Sequence, residues 1–345
     1  LSDLLALADG APGDLRVVVE ITERALAARP AELLRTVARI REIGWGVALD
    51  DVGADAMSLA FMPLLRPDVV KLDLRLVQDA LGPDVAQVMN AVNAYAQETG
   101  AVVLAEGIED ERHLQLALAL GARLGQGWYF GRPHAGPAQG RTTSRLVLPA
   151  ALTAAPRSAR LVSAPTAEAG SSPFALLPEG TELRQAPKKL LIELSKQLER
   201  EAMRQGDTCL VAATFQEARH FTHATTGRYR DLVQRTALVC ALGQDLPAQS
   251  VPGLRGATLD PSDPVCGEWD VVVIAPHFSA ALLARDLGDD GPDTSRRFEY
   301  ALTYDRAVVA AAGRSLLGRV RTSQVPLASP SPTWADPPAI IQDKA

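Results

Sequence analysis

Cysteine, surplus positive charge and long apolar runs are all scarce in this 345-residue chain, and each shortage removes a class of protein from consideration. Only Cys209, Cys240 and Cys266 are present, an odd number, far apart and with no CxxC pair. That usage fits reduced thiols in the cytoplasm better than a disulfide scaffold. The formal net charge of -6, with an isoelectric point near 5.5, leaves no basic field for duplex DNA. The apolar run LVLPAALTAA, from Leu146, carries a proline and falls well short of the roughly 20 residues that span a bilayer, so no membrane partner is expected. The opening LSDLLALADGAPGDL starts on Leu1 and has neither a basic n-region nor a cleavage site, so it is not expected to be a signal peptide. The expectation is that the chain begins inside a longer protein. No internal repeat is found.

What is present reads as a soluble globular protein of two domains: 47% of residues are hydrophobic and 22% charged, over a length that one core rarely fills. Between Val17 and Gln126, charged residues close successive Val-rich runs: Glu20 after RVVV, Asp50 and Asp51 after GVAL, Lys71 after PDVV, and Glu106 after AVVLA. Strands are expected over 16–20, 46–50, 68–71 and 101–105, with a fifth, short one approaching Gln126. Helical spacing over 31–42 and 84–99 lies between them. Strand alternating with helix implies parallel strands, and in parallel α/β folds the carboxyl ends of the strands converge on the face that carries chemistry.

Four acids and a lysine on one rim suit divalent metal. Adjacent carboxylates such as Asp50 and Asp51 can reach two ions, an arrangement that serves phosphodiester hydrolysis. All-oxygen donors favour magnesium or manganese over zinc. A lysine among acids stays protonated and can orient hydroxide or offset charge on phosphate. Taken singly, each acid reads more readily as a helix N-cap or a solvated loop charge; four successive strand ends weaken that reading.

The blocks VVVEITE (17–23), ALDDVG (48–53), VVKLD (69–73), LAEGIE (104–109) and GQGWYFGRP (125–133), in this order, resemble the second half of an EAL domain. The resemblance implies a fold of class α/β, the C-terminal half of a (β/α)8 TIM-type barrel. It implies hydrolysis of cyclic di-GMP to the linear dinucleotide pGpG with two Mg2+ or Mn2+ ions. Glu20, Asp50, Asp51 and Glu106 become metal ligands, with Lys71 and Glu106 catalytic. Asp73, Gln126, Arg132 and Pro133 fall near metal-bound water or substrate, Glu23 braces the loop after the aspartates, and Glu109 is the second acid of the glutamate-glycine-x-glutamate element. Two departures stand out. The signature Glu-Ala-Leu and the asparagine ligand that follows it belong upstream of Leu1, and a whole barrel takes roughly 250 residues. The family's DDFGTG is DDVGAD here, so Val52, Ala54 and Asp55 replace an aromatic, a hydroxyl and a glycine.

Composition then shifts to Ala, Pro, Ser and Gly, giving a linker over 136–180 after an EAL segment over 1–135. The second domain, 181–320, resembles a DICT sensory domain in ATFQEAR (213–219), the helix RYRDLVQRTALVCALG, GATLDP (256–261), GEWDVVVIAPHF (267–278) and LTYDR (302–306). It is expected as a separate α/β unit, with helices also at SAALLARDL and RAVVAAAGRSLL. Its ligand, a small molecule or a protein, is not implied by these residues. Trp269 on a buried strand and His277 at that strand's end are its candidate residues, although a structural role fits His277 better than ligand binding. His220 and His223 lie three apart without a third ligand nearby. The helix PKKLLIELSKQLEREA carries a leucine stripe that serves a core or a homodimer contact. The proline-rich tail, 321–345, is expected to be disordered.

Two functions follow. One is a cytoplasmic cyclic-di-GMP phosphodiesterase module set by the sensory domain, active in the full-length parent rather than in this truncated chain. The other is a degenerate module acting as a cyclic-di-GMP receptor or scaffold. A half-barrel with open edges is also expected to aggregate or pair.

Overall fold

Val-rich runs buried on both faces build the first sheet of the computed structural model, which describes residues 17–22, 28–78, 83–132, 171–289, 292–293 and 296–320. Strands β1 (Val18–Ile21), β2 (Gly46–Val52), β3 (Val69–Leu72), β4 (Val102–Ala105) and β5 (Leu124–Gly125) lie in sequence order and pair in parallel. Parallel neighbours need crossovers. These are α1 (Pro30–Glu42), α2 (Met57–Leu65), the short α3 (Arg75–Gln78) with α4 (Pro83–Thr99), and α5 (Glu111–Ala119). Pro30 starts α1 where no N–H partner is lost, and the Asp110 side chain accepts from the His113 N–H to cap α5. Among the described residues the sheet is open, with β1 and β5 at its edges.

Seven strands form the second sheet: β6 (Arg184–Pro187), β7 (Leu210–Glu217), β8 (Leu238–Gln244), β9 (Arg255–Thr258), β10 (Glu268–Ile274), β11 (Ser279–Asp286) and β12 (Arg297–Thr303). Their order is β6-β12-β11-β10-β7-β8-β9, antiparallel up to β7 and parallel from β7 to β9. Alternation along the strands sorts the two faces. Val211, Ala213, Val271, Val273, Leu282 and Ala284 pack with α6 (Lys188–Gln205) and α7 (His223–Arg235). Leu210, Ala212, Val272, Ile274, Ala281 and Leu283 face α8 (Arg306–Leu317) and join the apolar cluster of the first sheet.

Three sequence expectations are corrected. SAALLARDL is strand β11 rather than helix, and RYRDLVQRTALVCALG is helix only to Arg235 before becoming strand β8. Both strands are buried on both faces, so neither shows the alternation that marks a strand. The composition-defined linker also ends early. Residues 171–180 lie against the second sheet, where Phe174 N–H donates to the buried Glu268 carboxylate at 3.1 Å and Ser315 Oγ donates to the Ser171 carbonyl at 2.7 Å. The rest of that linker and the tail 321–345 lie outside the described residues. The α6 stripe serves the core, with Leu191 and Leu198 buried.

Candidate metal and phosphodiester site

At the carboxyl ends of β1 to β4 the structure gathers Glu20, Asp50, Asp51, Lys71 and Glu106. Lys71 is the third of the four residues of β3, a short parallel strand between two neighbours that aims its side chain into the rim and leaves it only 7% exposed. Its Nζ lies 2.7 Å from Asp50 Oδ1, 2.8 Å from Glu106 Oε1 and 3.0 Å from Glu20 Oε1. Burial alone would pull the ammonium down; Asp50, Glu106 and Glu20 outweigh it and hold Lys71 well above the usual lysine range.

A strand should send Asp50 and Asp51 to opposite faces. Here the β2–β3 ladder shifts register between Leu49 and Val52, and Asp51 takes φ 55°. A bulge with one residue in the left-handed region re-aims a side chain, and aspartate tolerates that region better than most. As a result one carboxylate oxygen each from Asp50, Asp51 and Glu106 lies within 4.8 Å of the others. Three hard oxygen donors at that spacing fit part of the coordination shell of a divalent cation whose remaining positions water or phosphate can fill.

Glu106 also borders a cavity of about 600 Å³ lined by Leu74, Gln126, Trp128, Phe130 and Arg132. The exposed Trp128 ring carries the Arg132 guanidinium 4.3 Å from its centroid. Gln126 is held by its backbone: its N–H donates to the Ala105 carbonyl and its carbonyl accepts from the Ile108 N–H.

Other expected residues sit elsewhere. Asp73 is buried after β3, and its Oδ1 accepts from both the backbone N–H and Nε of Arg75 at 2.9 Å, so it caps α3. Glu109 is exposed, with its backbone N–H donating to His113 Nδ1 at 3.3 Å. Glu23 and Pro133 lie outside the described residues. In the second domain Trp269 donates from Nε1 to Ser195 Oγ at 3.0 Å and packs edge-on to Phe298, which ties α6 to the sheet. His277 is exposed at the tip of the β10–β11 hairpin. His220 Nδ1 is 3.0 Å from the Phe215 carbonyl oxygen and Nε2 is 3.8 Å from Asp293, which leaves no shared metal position with His223. Sequence reasoning missed Gln78, whose Nε2 donates to the Gly107 carbonyl at 2.7 Å and braces the loop beyond Glu106. Its signal was faint: one amide at the end of the short helix after β3.

These features define an α/β protein with an acid-and-lysine rim at the ends of parallel strands. Two family models match separate parts of the chain. Residues 1–133 match the EAL domain, and residues 175–287 match the sensory domain in diguanylate cyclases and two-component systems, DICT. A segment that matches the EAL domain is thus followed by one that matches the DICT domain, as the motif blocks implied. It is 36% identical over 118 residues to the cyclic di-GMP phosphodiesterase RocR of Pseudomonas aeruginosa, covering 34% of this chain and 30% of that protein. The cyclic di-GMP phosphodiesterase PA2567 of the same species is 34% identical over 116 residues, covering 33% and 20%. A manganese and cyclic-di-GMP complex of Klebsiella pneumoniae BlrP1 is 31% identical with TM-score 0.34, covering 38% of this chain and 34% of that one. The chain therefore spans about a third or less of each of these relatives. Among the described residues no helix is long and apolar enough to cross a membrane.

Proposed function

We propose that this chain contributes the second half of a cyclic-di-GMP phosphodiesterase site whose state the DICT domain sets. The observation that carries the proposal is the Lys71 ammonium within 3.0 Å of Glu20, Asp50 and Glu106, beside a three-carboxylate cluster at the strand ends. Asp50, Asp51, Glu106 and Glu20 would hold Mg2+ or Mn2+, which when bound supplies a hydroxide nucleophile and offsets charge on the phosphate. Lys71 keeps the carboxylates from repelling one another and presents a proton donor to the oxygen that they surround. The cavity beside Glu106 offers the Trp128 and Phe130 faces to a planar base and Arg132 to a phosphate.

The test is metal-dependent hydrolysis of cyclic di-GMP to pGpG by a parent protein in which this chain is joined to the first half of an EAL domain, compared with its Lys71→Ala and Asp50→Asn variants. Each variant is expected to lose activity by about 100-fold or more, the range for losing a preorganised charged group. Full activity in both, or none in the parent at saturating metal, would remove the enzymatic reading.

A second reading, a receptor that binds cyclic di-GMP without turnover, is favoured by the loop. In DDVGAD, Asp55 is spent on structure: its Oδ1 accepts from the Met57 N–H at 2.8 Å at the start of α2. Calorimetry showing binding by the parent without hydrolysis selects this reading.

A further inference from the structure

Helix α2, MSLAFMPLL, follows the Asp50–Asp51 loop and is apolar all round. From Ser58 to Leu65 every residue is buried. A crossover helix on a two-layer sheet normally shows water a polar face. Here that face is covered by the second domain. α2 packs on β2 and α4 on its inner side and on α8 and the turn Gly206–Thr208 on its outer side. The approach is close: a Cβ on Gly313 of α8 would lie 3.1 Å from Leu64 Cδ2 and 2.8 Å from Ile274 Cδ1. A second tie is Arg306 Nε, 3.8 Å from Glu98 at the end of α4.

Both ends of α2 are fixed. At its start Ser58 Oγ donates to the Asp55 carbonyl at 2.8 Å, and Gly53 N–H reaches Ser58 Oγ at 3.5 Å, so the first turn and the rim loop move together. At its end Arg41 donates to the Leu65 and Arg66 carbonyls, satisfying groups that a helix terminus leaves open. α8 itself rests on β10 and β11 at the centre of the sensory sheet. A continuous packed path therefore runs from that sheet through Gly313, Leu64 and α2 to the loop of Gly53 and Asp55 that follows Asp50 and Asp51.

We propose that the outer face of α2 is the docking surface of the DICT domain, and that this α2–α8 contact is the route by which the domain sets the Asp50–Asp51 loop. The inference rests on reading the rim as a metal site, but its test does not use turnover. Contact networks count as coupled only where both ends respond together. In the unmodified 345-residue chain, native-state hydrogen exchange should show the amides of α2 and α8 opening as one unit, with the same denaturant dependence. Separate openings would overturn the proposal. Gly313→Val, which overpacks the contact, and Leu64→Ala, which empties it, should each speed exchange across 48–58 by about 10-fold, whereas His277→Ala at the exposed hairpin tip should not. Folded variants that quicken only α8 and β10 and leave 48–58 at the parent rate would also overturn it. A parent protein without phosphodiesterase activity that still shows the common opening removes the enzymatic reading and leaves the coupling standing.

Discussion

Glu268 and Asp270 are two acids on one face of β10, both buried, and Asp270 is fully so. Thr214 Oγ1 joins their backbones, donating to the Glu268 carbonyl and accepting from the Asp270 N–H. Burial first, and then the Glu268 carboxyl beside it, push Asp270 well above the usual carboxylate range; burial likewise raises Glu268. In the unfolded chain both acids ionise at ordinary values. The folded state therefore binds more protons across the window between those values and the raised ones, and stability falls as pH climbs through it. Asp270→Asn should accordingly be more stable than the parent at pH 8, by about 1–3 kcal/mol, and differ little at pH 4. Urea denaturation at the two pH values checks this, and a variant weaker at pH 8 would refute it. At the same scale, the rim was legible in the sequence because a charge after a Val run marks a strand end. The hold of Arg75 on Asp73 and the φ of Asp51 were not legible, since both depend on how one turn closes in three dimensions.

Elements were legible where their patterns were unambiguous. Val-rich runs separated by helical spacing gave all five strands of the first sheet. β11 and the strand half of RYRDLVQRTALVCALG failed as predictions because a strand covered on both faces has no period to read. The loop after β5 shows how tightly an element can constrain one position. Gly127 lies so close to the loop beyond β4 that a Cβ would sit 2.1 Å from the Ile108 carbonyl oxygen and 2.4 Å from its nitrogen. Neither backbone atom can give way cheaply. Gly127→Ala should cost about 2–4 kcal/mol by forcing the segment of Gln126 to Phe130 outward. Thermal unfolding followed by Trp128 fluorescence measures it, and an unchanged midpoint would show that the loop adapts.

At the scale of the whole molecule, two sheets that share no strand pairing among the described residues have one apolar cluster between them, from Ile21 through Phe61 and Leu64 to Leu317. The sequence divides at a compositional shift, which reads as two independent units joined by a linker; packing between units leaves no local pattern unless a helix is apolar all round, as α2 is. Cleaving the chain between the matched regions is therefore not expected to release two well-behaved proteins. The piece ending at residue 133 would present Phe61, Leu64 and their neighbours to water, and a patch of that kind drives self-association. Light scattering of residues 1–133 against the intact chain tests this, and a monodisperse, monomeric fragment would contradict it. For α2 the consequence concerns inheritance: a recombination event that exchanged the second domain for another would have to remake the outer side of this helix as well, so the two modules are bound to change together.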